Sequence, residues 1–209
     1  MSTVDLSQMT LAILAGGQGT RMRKAKGELR IGGEPILAYL LERIGWPGAT
    51  LLVTAPGVEH PPGGDRFHAE AIDPQAGLGP LRGVLTALQH ATTDVMVITT
   101  VDLPNIRLGN LSAAVSRLMQ SAEHAAVMYR RDVAGESVIE PFPLAIHKRL
   151  TAEVAARLAS GRRSVYGLSQ LPGVVVEAVP TEWRESVWMN LNTPEDMRVF
   201  LDSQSDAAQ

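Results

Sequence analysis

A glycine-rich segment near the amino terminus is the first stretch whose composition suggests chemistry. Gly16, Gly17 and Gly19 directly follow an apolar run. Because glycine has no side chain, several backbone N–H groups can converge there on one ligand oxygen, as they do in phosphate-binding loops. The Walker pattern and the dinucleotide fingerprint are both missing, since no Gly-Lys-Ser/Thr follows and Met22 occupies the third glycine position. The segment therefore predicts a phosphate cradle of another kind, with a solvated loop as the alternative.

Basic residues follow these glycines closely. Arg21, Lys24 and Lys26 lie within the same segment, and the chain contains just one other lysine. Guanidinium and ammonium groups beside converging amides suit a ligand with several negative charges, such as a triphosphate. The formal net charge of the whole chain is −3, so its bulk charge does not favour nucleic acid or an anionic membrane as a partner. We therefore expect a local anion site in this segment.

Two aspartates stand at the ends of apolar runs. Asp102 follows residues 95–101 and precedes Leu103-Pro104. A carboxylate beside a phosphate cradle suits Mg²⁺, which takes one or two carboxylates together with phosphate oxygens. Asp73 ends the shorter run 69–73 and could accept two N–H bonds from the edge of a guanine base. For both aspartates, a turn-forming or capping role is the alternative interpretation.

Two later segments place polar side chains at predicted element ends. Asn190 and Asn192 precede Thr193-Pro194, where a helix is expected to begin, so they suit either a ligand or a turn and helix cap. Arg163 and Ser164 follow another predicted helix. They suit a second anionic substrate or, alternatively, a basic pair at the surface.

Composition excludes several other kinds of site. The chain has no cysteine, which rules out disulfides, thiolate metal sites and cysteine nucleophiles and fits a reducing compartment. Its five histidines lack metal-ligand spacing, and no Gly-x-Ser-x-Gly elbow is present. No apolar run is long enough to span a bilayer, and no basic cluster precedes an apolar stretch at the amino terminus. We therefore expect a cytoplasmic protein.

The predicted elements explain how distant residues could meet. Short apolar runs alternate with segments of helical periodicity, which predicts an α/β fold with a mostly parallel sheet and helices on both faces. Ligands of such sheets bind outside the carboxyl ends of the strands. The segment 130–140 reads as a polar hairpin or loop. Strands are predicted at residues 10–15, 50–54, 69–73, 95–101, 125–129, 174–179 and 187–191.

Length and composition favour one domain. The chain has 209 residues, of which 45% are hydrophobic and 20% charged, typical of a soluble globular protein with one core. No internal repeat or linker interrupts the pattern. We expect a single domain over residues 1–201 and a polar, disordered tail over residues 202–209.

Taken together, the motifs resemble those of nucleotidyltransferases with a Rossmann-like sheet, specifically the molybdenum cofactor guanylyltransferases. The resemblance covers nearly the whole chain, and the motif near the carboxyl terminus is most diagnostic of this family. The similar segments are Leu14-Ala15-Gly16-Gly17 with Arg21-Met22 and Lys26-Gly27, Gly79-Pro80-Leu81 with Gly83, Asp102-Leu103-Pro104, and Asn190-Leu191-Asn192-Thr193-Pro194-Glu195-Asp196.

The resemblance implies a three-layer Rossmann-like fold and an Mg²⁺-dependent reaction. In that reaction, GMP is transferred from GTP to the terminal phosphate of molybdenum-carrying molybdopterin, and pyrophosphate is released. Arg21 would then bind the β and γ phosphates, Lys26 the α phosphate and Asp102 the Mg²⁺, and these three would be catalytic. Proteins that insert molybdenum or accept the finished cofactor would be partners.

The remaining site residues also follow from the resemblance. Nucleotide contacts are implied for Leu14, Ala15, Gly16, Gly17 and Gly19, guanine recognition for Asp73, and binding of the pterin substrate for Asn190, Asn192, Arg163 and Ser164. The family usually has glycines where this chain has Arg23-Lys24-Ala25, one residue shorter, so Lys24 stays an alternative to Lys26. Functional alternatives are a relative with another base or acceptor, such as CTP or a sugar phosphate, and an idle nucleotide-binding module.

Overall fold

The computed structural model describes residues 4–16 and 26–206 of the chain. Within them, a seven-stranded sheet is accompanied by a small two-stranded ribbon. In chain order, the strands are β1 (Thr10–Leu14), β2 (Arg30–Ile31), β3 (Glu34–Pro35), β4 (Ala49–Thr54), β5 (Ala69–Ile72), β6 (Val95–Thr100), β7 (Ala126–Val133), β8 (Glu136–His147) and β9 (Val174–Ala178). Strands β2 and β3 form the ribbon.

The main sheet has the order β5-β4-β1-β6-β8-β7-β9. Strand β8 pairs antiparallel with β6 and β7, and the other neighbouring pairs are parallel. The expected mostly parallel α/β sheet is therefore confirmed. Residues 130–140 are part of a long hairpin, in which β7 and β8 continue to a turn at Ala134 and Gly135. Both turn residues have positive φ, 51° at Ala134 and 87° at Gly135, and glycine adopts such values without strain.

Helices cover both faces of this sheet, as the sequence predicted. They are α1 (Ile36–Ile44), α2 (Pro80–His90), α3 (Leu108–Leu118), α4 (Thr151–Ala159) and α5 (Pro194–Asp206). Helix α2 packs against α4 and against strands β1, β4 and β5, and α3 packs against β6, β7 and β8. Within the described ranges, no helix combines the length and apolar character needed to cross a bilayer.

Strand β1 lies in the middle of the core and explains why its sequence is an uninterrupted apolar run. All five of its residues are buried. Strands covered by helices on both faces lose the alternation of a half-exposed strand, because neither face meets water. Strand β6 has the same character, with its first five residues buried. These two central strands end next to each other, which fixes the position of the residues that follow them.

One prediction near the carboxyl terminus is wrong. Residues 187–191 form no strand: a short 3₁₀ turn covers Glu185–Trp188, and its apolar side chains pack into the core from the turn. A short apolar run cannot by itself distinguish these outcomes. Helix α5 continues to Asp206, and Arg198 on this helix pairs with Glu195 at 2.7 Å and with Asp202 at 3.0 Å. The single domain over residues 1–201, followed by a polar tail, stays a prediction. Residues 207–209 lie outside the described residues.

Candidate functional site

The carboxyl ends of four neighbouring parallel strands line a cavity of about 420 Å³. Strand β1 leads to Gly16, β4 to Ala55, β5 to Asp73 and β6 to Asp102, and all four residues lie at the cavity wall. Their proximity follows from the parallel pairing of β5, β4, β1 and β6, which brings the four carboxyl ends to one edge. This edge is where an open α/β sheet binds ligands.

The described part of the glycine-rich segment lies close against β4. The Ala15 N–H donates to the Val53 carbonyl at 2.8 Å. A Cβ added at Gly16 would lie 3.3 Å from Ala55, so a larger side chain would crowd that strand end. Leu14 and Gly16 line the cavity. The predicted ligand residues Gly17, Gly19 and Arg21, and the alternative Lys24, lie outside the described residues.

Three side chains from distant parts of the sequence meet at one end of the cavity. Lys26 begins the 3₁₀ turn Lys26–Glu28, and its ammonium donates to Asp102 Oδ2 and to Asn192 Oδ1, the latter at 2.6 Å. The Lys26 and Asp102 side chains are 17% and 16% exposed. Partial burial reduces the screening of their charges by water, so this ion pair is stronger than one at the surface. Lysine and carboxylate together give the cavity a cationic and an anionic group in direct contact.

The second oxygen of Asp102 is available for a ligand. Asp102 Oδ1 is buried and has no hydrogen-bond partner among residues 4–16 and 26–206. Buried polar atoms are normally paired, so such an atom beside a cavity indicates a missing ligand or ion. No cluster of three or more histidine, aspartate or glutamate residues able to hold a metal occurs within residues 4–16 and 26–206. A divalent cation at Asp102 would therefore need further oxygens from the ligand, which is how Mg²⁺ binds with phosphates.

Asp73 provides a second carboxylate in the same cavity. Its backbone N–H donates to the Thr54 carbonyl at 2.8 Å, which fixes the residue beyond the end of β5. Asp73 Oδ1 is buried and accepts no hydrogen bond within the part of the chain that the structure describes, and Arg82 Nε lies 3.9 Å from it. Burial raises the pKa of the Asp73 carboxyl, although a hydrogen bond from Thr86 and the Arg82 charge act in the opposite direction. The carboxyl group can therefore accept N–H bonds from a ligand.

A glycine loop before α2 forms another wall of the cavity. Gly77 and Gly79 line it, both with positive φ. Arg163 Nη1 donates to the Gly77 carbonyl at 3.2 Å, and the Arg163 carbonyl accepts from Leu81 N–H at 3.4 Å. Arg163 thus braces this loop from outside, and Ser164 beside it is exposed. The sequence contained the signal for this wall, Gly77-Leu78-Gly79-Pro80, but it did not indicate which side chain supports it.

The two asparagines of the carboxyl-terminal motif point to different partners. Asn190 Nδ2 donates to the Trp188 carbonyl at 3.0 Å, and the residue is exposed. Asn192 Oδ1 accepts from Lys26. Between them, the Leu191 N–H donates to the Asp102 carbonyl at 2.9 Å. This segment therefore lies directly on the end of β6, beside the cavity.

Glu70 supports the cavity edge and was not identified from the sequence. Its Oε1 accepts from Thr54 Oγ1 and from the His60 N–H, both at 3.0 Å, and its Oε2 lies 2.7 Å from His60 Nδ1. These contacts fasten the loop that follows Ala55 to strand β5. A glutamate within a short strand gives no sequence signal for such a role.

Comparisons with known proteins agree with this geometry. A curated relative named molybdenum cofactor guanylyltransferase, from Cereibacter sphaeroides, is 30% identical over 189 residues, covering 88% of this chain and 91% of its own length. A probable molybdenum cofactor guanylyltransferase from Carboxydothermus hydrogenoformans is 29% identical, covering 94% of this chain and 96% of its own.

Solved structures show the same fold. Molybdopterin-guanine dinucleotide biosynthesis protein A from Archaeoglobus fulgidus superposes with a TM-score of 0.79 at 21% identity, covering 94% of this chain and 99% of its own. The 2-C-methyl-D-erythritol 4-phosphate cytidylyltransferase from Thermus thermophilus gives a TM-score of 0.69 at 18% identity, with 93% and 98% covered. The expected Rossmann-like nucleotidyltransferase fold is thus confirmed.

The family model described as the MobA-like NTP transferase domain matches residues 11–173. That range contains the four strand ends, Lys26, Asp73 and Asp102. The resemblance inferred from the motifs is confirmed, and the chain belongs to the family of MobA-like NTP transferases.

Proposed function

We propose that this protein transfers GMP from GTP to the terminal phosphate of molybdenum-carrying molybdopterin and releases pyrophosphate. The observation that carries the proposal is the meeting of Lys26 and Asp102 in a cavity formed by the carboxyl ends of parallel strands. The names of the relatives support the choice of substrates. A cavity of about 420 Å³ falls within the usual range for small-molecule sites.

The two ends of the cavity suit the two ends of a nucleotide. Asp73 Oδ1 is a buried acceptor without a partner, so it suits the adjacent N–H donors on the edge of guanine. Lys26 and Asp102 suit the triphosphate, with Lys26 at the α phosphate. Cytosine offers one amino group on its pairing edge, which makes it the poorer match to a carboxylate.

The phosphate cradle extends this assignment. We assign Leu14, Ala15, Gly16, Gly17 and Gly19 to it, and Arg21 to the β and γ phosphates.

The reaction requires little covalent chemistry from the protein. A phosphate oxygen of the acceptor attacks the α phosphorus in line, a new P–O bond forms, and the bond to the pyrophosphate oxygen breaks. The acceptor phosphate is already ionised at neutral pH, so it needs no general base. Lys26 stabilises the charge that develops at the α phosphate, because its ammonium is held in place before the substrate binds.

Asp102 is the residue that we assign to Mg²⁺. Its unpaired Oδ1 provides one hard oxygen, and the phosphates of the nucleotide would supply others. When bound, Mg²⁺ would neutralise charge on the phosphates. The role of Asp102 itself is to hold its carboxylate at the end of β6, in contact with Lys26.

We assign the residues that bind the acceptor from their position near the cavity and from the resemblance to the family. Asn190, Asn192, Arg163 and Ser164 are our candidates for contacts with molybdopterin. Proteins that supply molybdenum or receive the finished cofactor would be partners, and the cytoplasm is the expected compartment.

Pyrophosphate release tests the proposed function directly. The purified protein is incubated with molybdopterin, Mg²⁺ and either GTP, CTP or ATP, and the dinucleotide formed is identified. We expect pyrophosphate and the guanine dinucleotide with GTP, and neither when Mg²⁺ is removed. Turnover with CTP alone would assign a different base. Tight GTP binding without pyrophosphate release would favour an idle nucleotide-binding module.

A further inference from the structure

Among the described residues, the ammonium of Lys26 has two hydrogen-bond partners that differ in charge. Asp102 Oδ2 is anionic, and Asn192 Oδ1 is a neutral amide oxygen 2.6 Å from Nζ. An ammonium has three N–H donors. Two of them are directed to these partners, so a third is left for a ligand in a direction that both partners define.

Asn192 is itself held firmly. Its backbone N–H donates to Asp196 Oδ2 at 3.0 Å, and the Thr193 N–H donates to the same oxygen at 2.8 Å. The Asp196 N–H returns a bond to Thr193 Oγ1 at 3.1 Å, which makes a capping box at the start of α5. The neighbouring Leu191 N–H is bonded to the Asp102 carbonyl. These bonds hold the backbone of Asn192 in a fixed position relative to Asp102.

This arrangement has a consequence for Lys26. If Asn192 Oδ1 were removed, the Asp102 carboxylate would be the one hydrogen-bond partner left to the ammonium within the described residues, and Nζ would be placed by charge attraction to Asp102 and, more weakly, to Asp196. The third N–H would then lose its fixed direction. Asn190 cannot substitute, because its side chain is bonded to the Trp188 carbonyl.

We propose that Asn192 is a positioning residue for Lys26, so that it acts on nucleotide binding through the lysine, whereas Asn190 does not. The proposal rests on the proposed function, and it separates two asparagines that the motif alone treats alike. Asn192 would link the carboxyl-terminal segment to the nucleotide end of the cavity.

A double-mutant cycle tests the link. The dissociation constant of GTP is measured without acceptor by calorimetry for the wild type, Asn192→Ala, Lys26→Ala and the double variant. We expect Asn192→Ala to weaken binding about tenfold, the size expected for a hydrogen bond to a charged group. In the Lys26→Ala background, the same change should have little further effect.

Asn190→Ala provides the matched control, alone and combined with Lys26→Ala. Its effect on the GTP dissociation constant should be small and equal in both backgrounds. Equal effects of Asn192→Ala in both backgrounds would overturn the proposal, as would a change confined to the KM for the acceptor. If neither the wild type nor any of the variants binds GTP, the proposed function is contradicted instead.

A second measurement tests the contact without any nucleotide. The chain has three lysines, so ¹³Cε-labelled lysine gives a simple NMR spectrum in which Lys26→Ala assigns the Lys26 signal. Asn192→Ala and Asn192→Ser, whose hydroxyl is too short to reach Nζ, should both shift that signal, and Asn190→Ala should leave it in place. An unshifted Lys26 signal in a folded Asn192 variant would overturn the proposal. Thermal unfolding shows which variants are folded.

Discussion

The two ends of the cavity each carry an aspartate beside a cation, but the two carboxylates differ in how closely the cation contacts them. Asp102, at the end of β6, shares a partly exposed ion pair with Lys26. Asp73, at the end of β5, has a side chain that is 12% exposed, its Oδ1 lies 3.9 Å from Arg82 Nε, and that oxygen accepts no hydrogen bond from the described residues. The direct contact with an ammonium offsets part of the cost of burying the Asp102 carboxylate, whereas burial raises the pKa of Asp73, whose charge is costly until a ligand donates to it. The difference supports our proposal that the Asp102 end binds the phosphates and the Asp73 end binds the base.

The comparison predicts that the charge of Asp102 is essential. Asp102→Asn keeps the shape of the side chain but removes the anionic oxygen, so we expect Mg²⁺-dependent turnover to be abolished while the fold is kept. Pyrophosphate release across a magnesium titration measures this. Asp94→Asn, an exposed residue just before the opposite end of the same strand, is the matched control and should retain wild-type turnover. Unchanged activity of Asp102→Asn would move the metal elsewhere.

Removing the cation at the phosphate end should have a large but smaller effect. Lys26→Ala deletes a preorganised donor, and we expect kcat to fall by about 10² to 10³, as for loss of one oxyanion-hole donor. Turnover is measured at saturating Mg²⁺ and GTP. Lys148→Ala is the control, since its ammonium donates to the Ala91 carbonyl, away from the cavity. A Lys26→Ala variant with full turnover would refute the role of this lysine.

At the base end, the same kind of substitution should increase stability and reduce selectivity. Burial raises the pKa of the Asp73 carboxyl above its ordinary value of 3.8, so the folded state favours the protonated form. This contribution to stability is present at low pH and is lost as the pH rises through the folded pKa. Asp73→Asn should therefore raise the Tm at pH 7, and the gain should disappear below about pH 3.8, where both states are protonated.

Two measurements check the Asp73 prediction. Thermal unfolding of Asp73→Asn at pH 7 and below about pH 3.8 should show the higher Tm at pH 7 alone. Asp65→Asn, at an exposed position, is the control. The ratio of kcat/KM for GTP to that for CTP should fall roughly tenfold, because asparagine accepts at one oxygen where the carboxylate accepts at two. A lower Tm of Asp73→Asn at pH 7 would contradict the account of this carboxylate.

The strands that form the site could be predicted because their apolar runs are unambiguous. Strands β1 and β6 are short runs that are buried on both faces; Gly16 and Gly17 bound the first, and β-branched residues are dense in the second, which favours strands over helices. Strand β8 was not predicted because its sequence contains Pro141 and Pro143, and proline normally argues against a strand. Residues 187–191 were misassigned for the opposite reason, since apolar density suggested a strand where the chain forms a buried turn.

The contacts within the site were less predictable than its location. Parallel strand ends meet at one edge by topology, so the proximity of Gly16, Asp73 and Asp102 follows from the fold class. The contact between Lys26 and Asn192 joins residues 166 positions apart, and no local pattern encodes it. The unpaired oxygens of Asp73 and Asp102 become visible only when the surrounding donors are located.

The carboxyl-terminal segment after residue 173 lies beyond the family model yet cannot be trimmed away without damage. Phe200 is fully buried, with its ring edge-on to Tyr39 at 6.1 Å between centroids. Shortening the polypeptide to the matched region would open a hole costing on the order of 3–5 kcal/mol at that ring alone. It would also leave the Lys26 ammonium without its amide neighbour. In this protein, the residues matched by the family model end before the residues that complete the hydrophobic core.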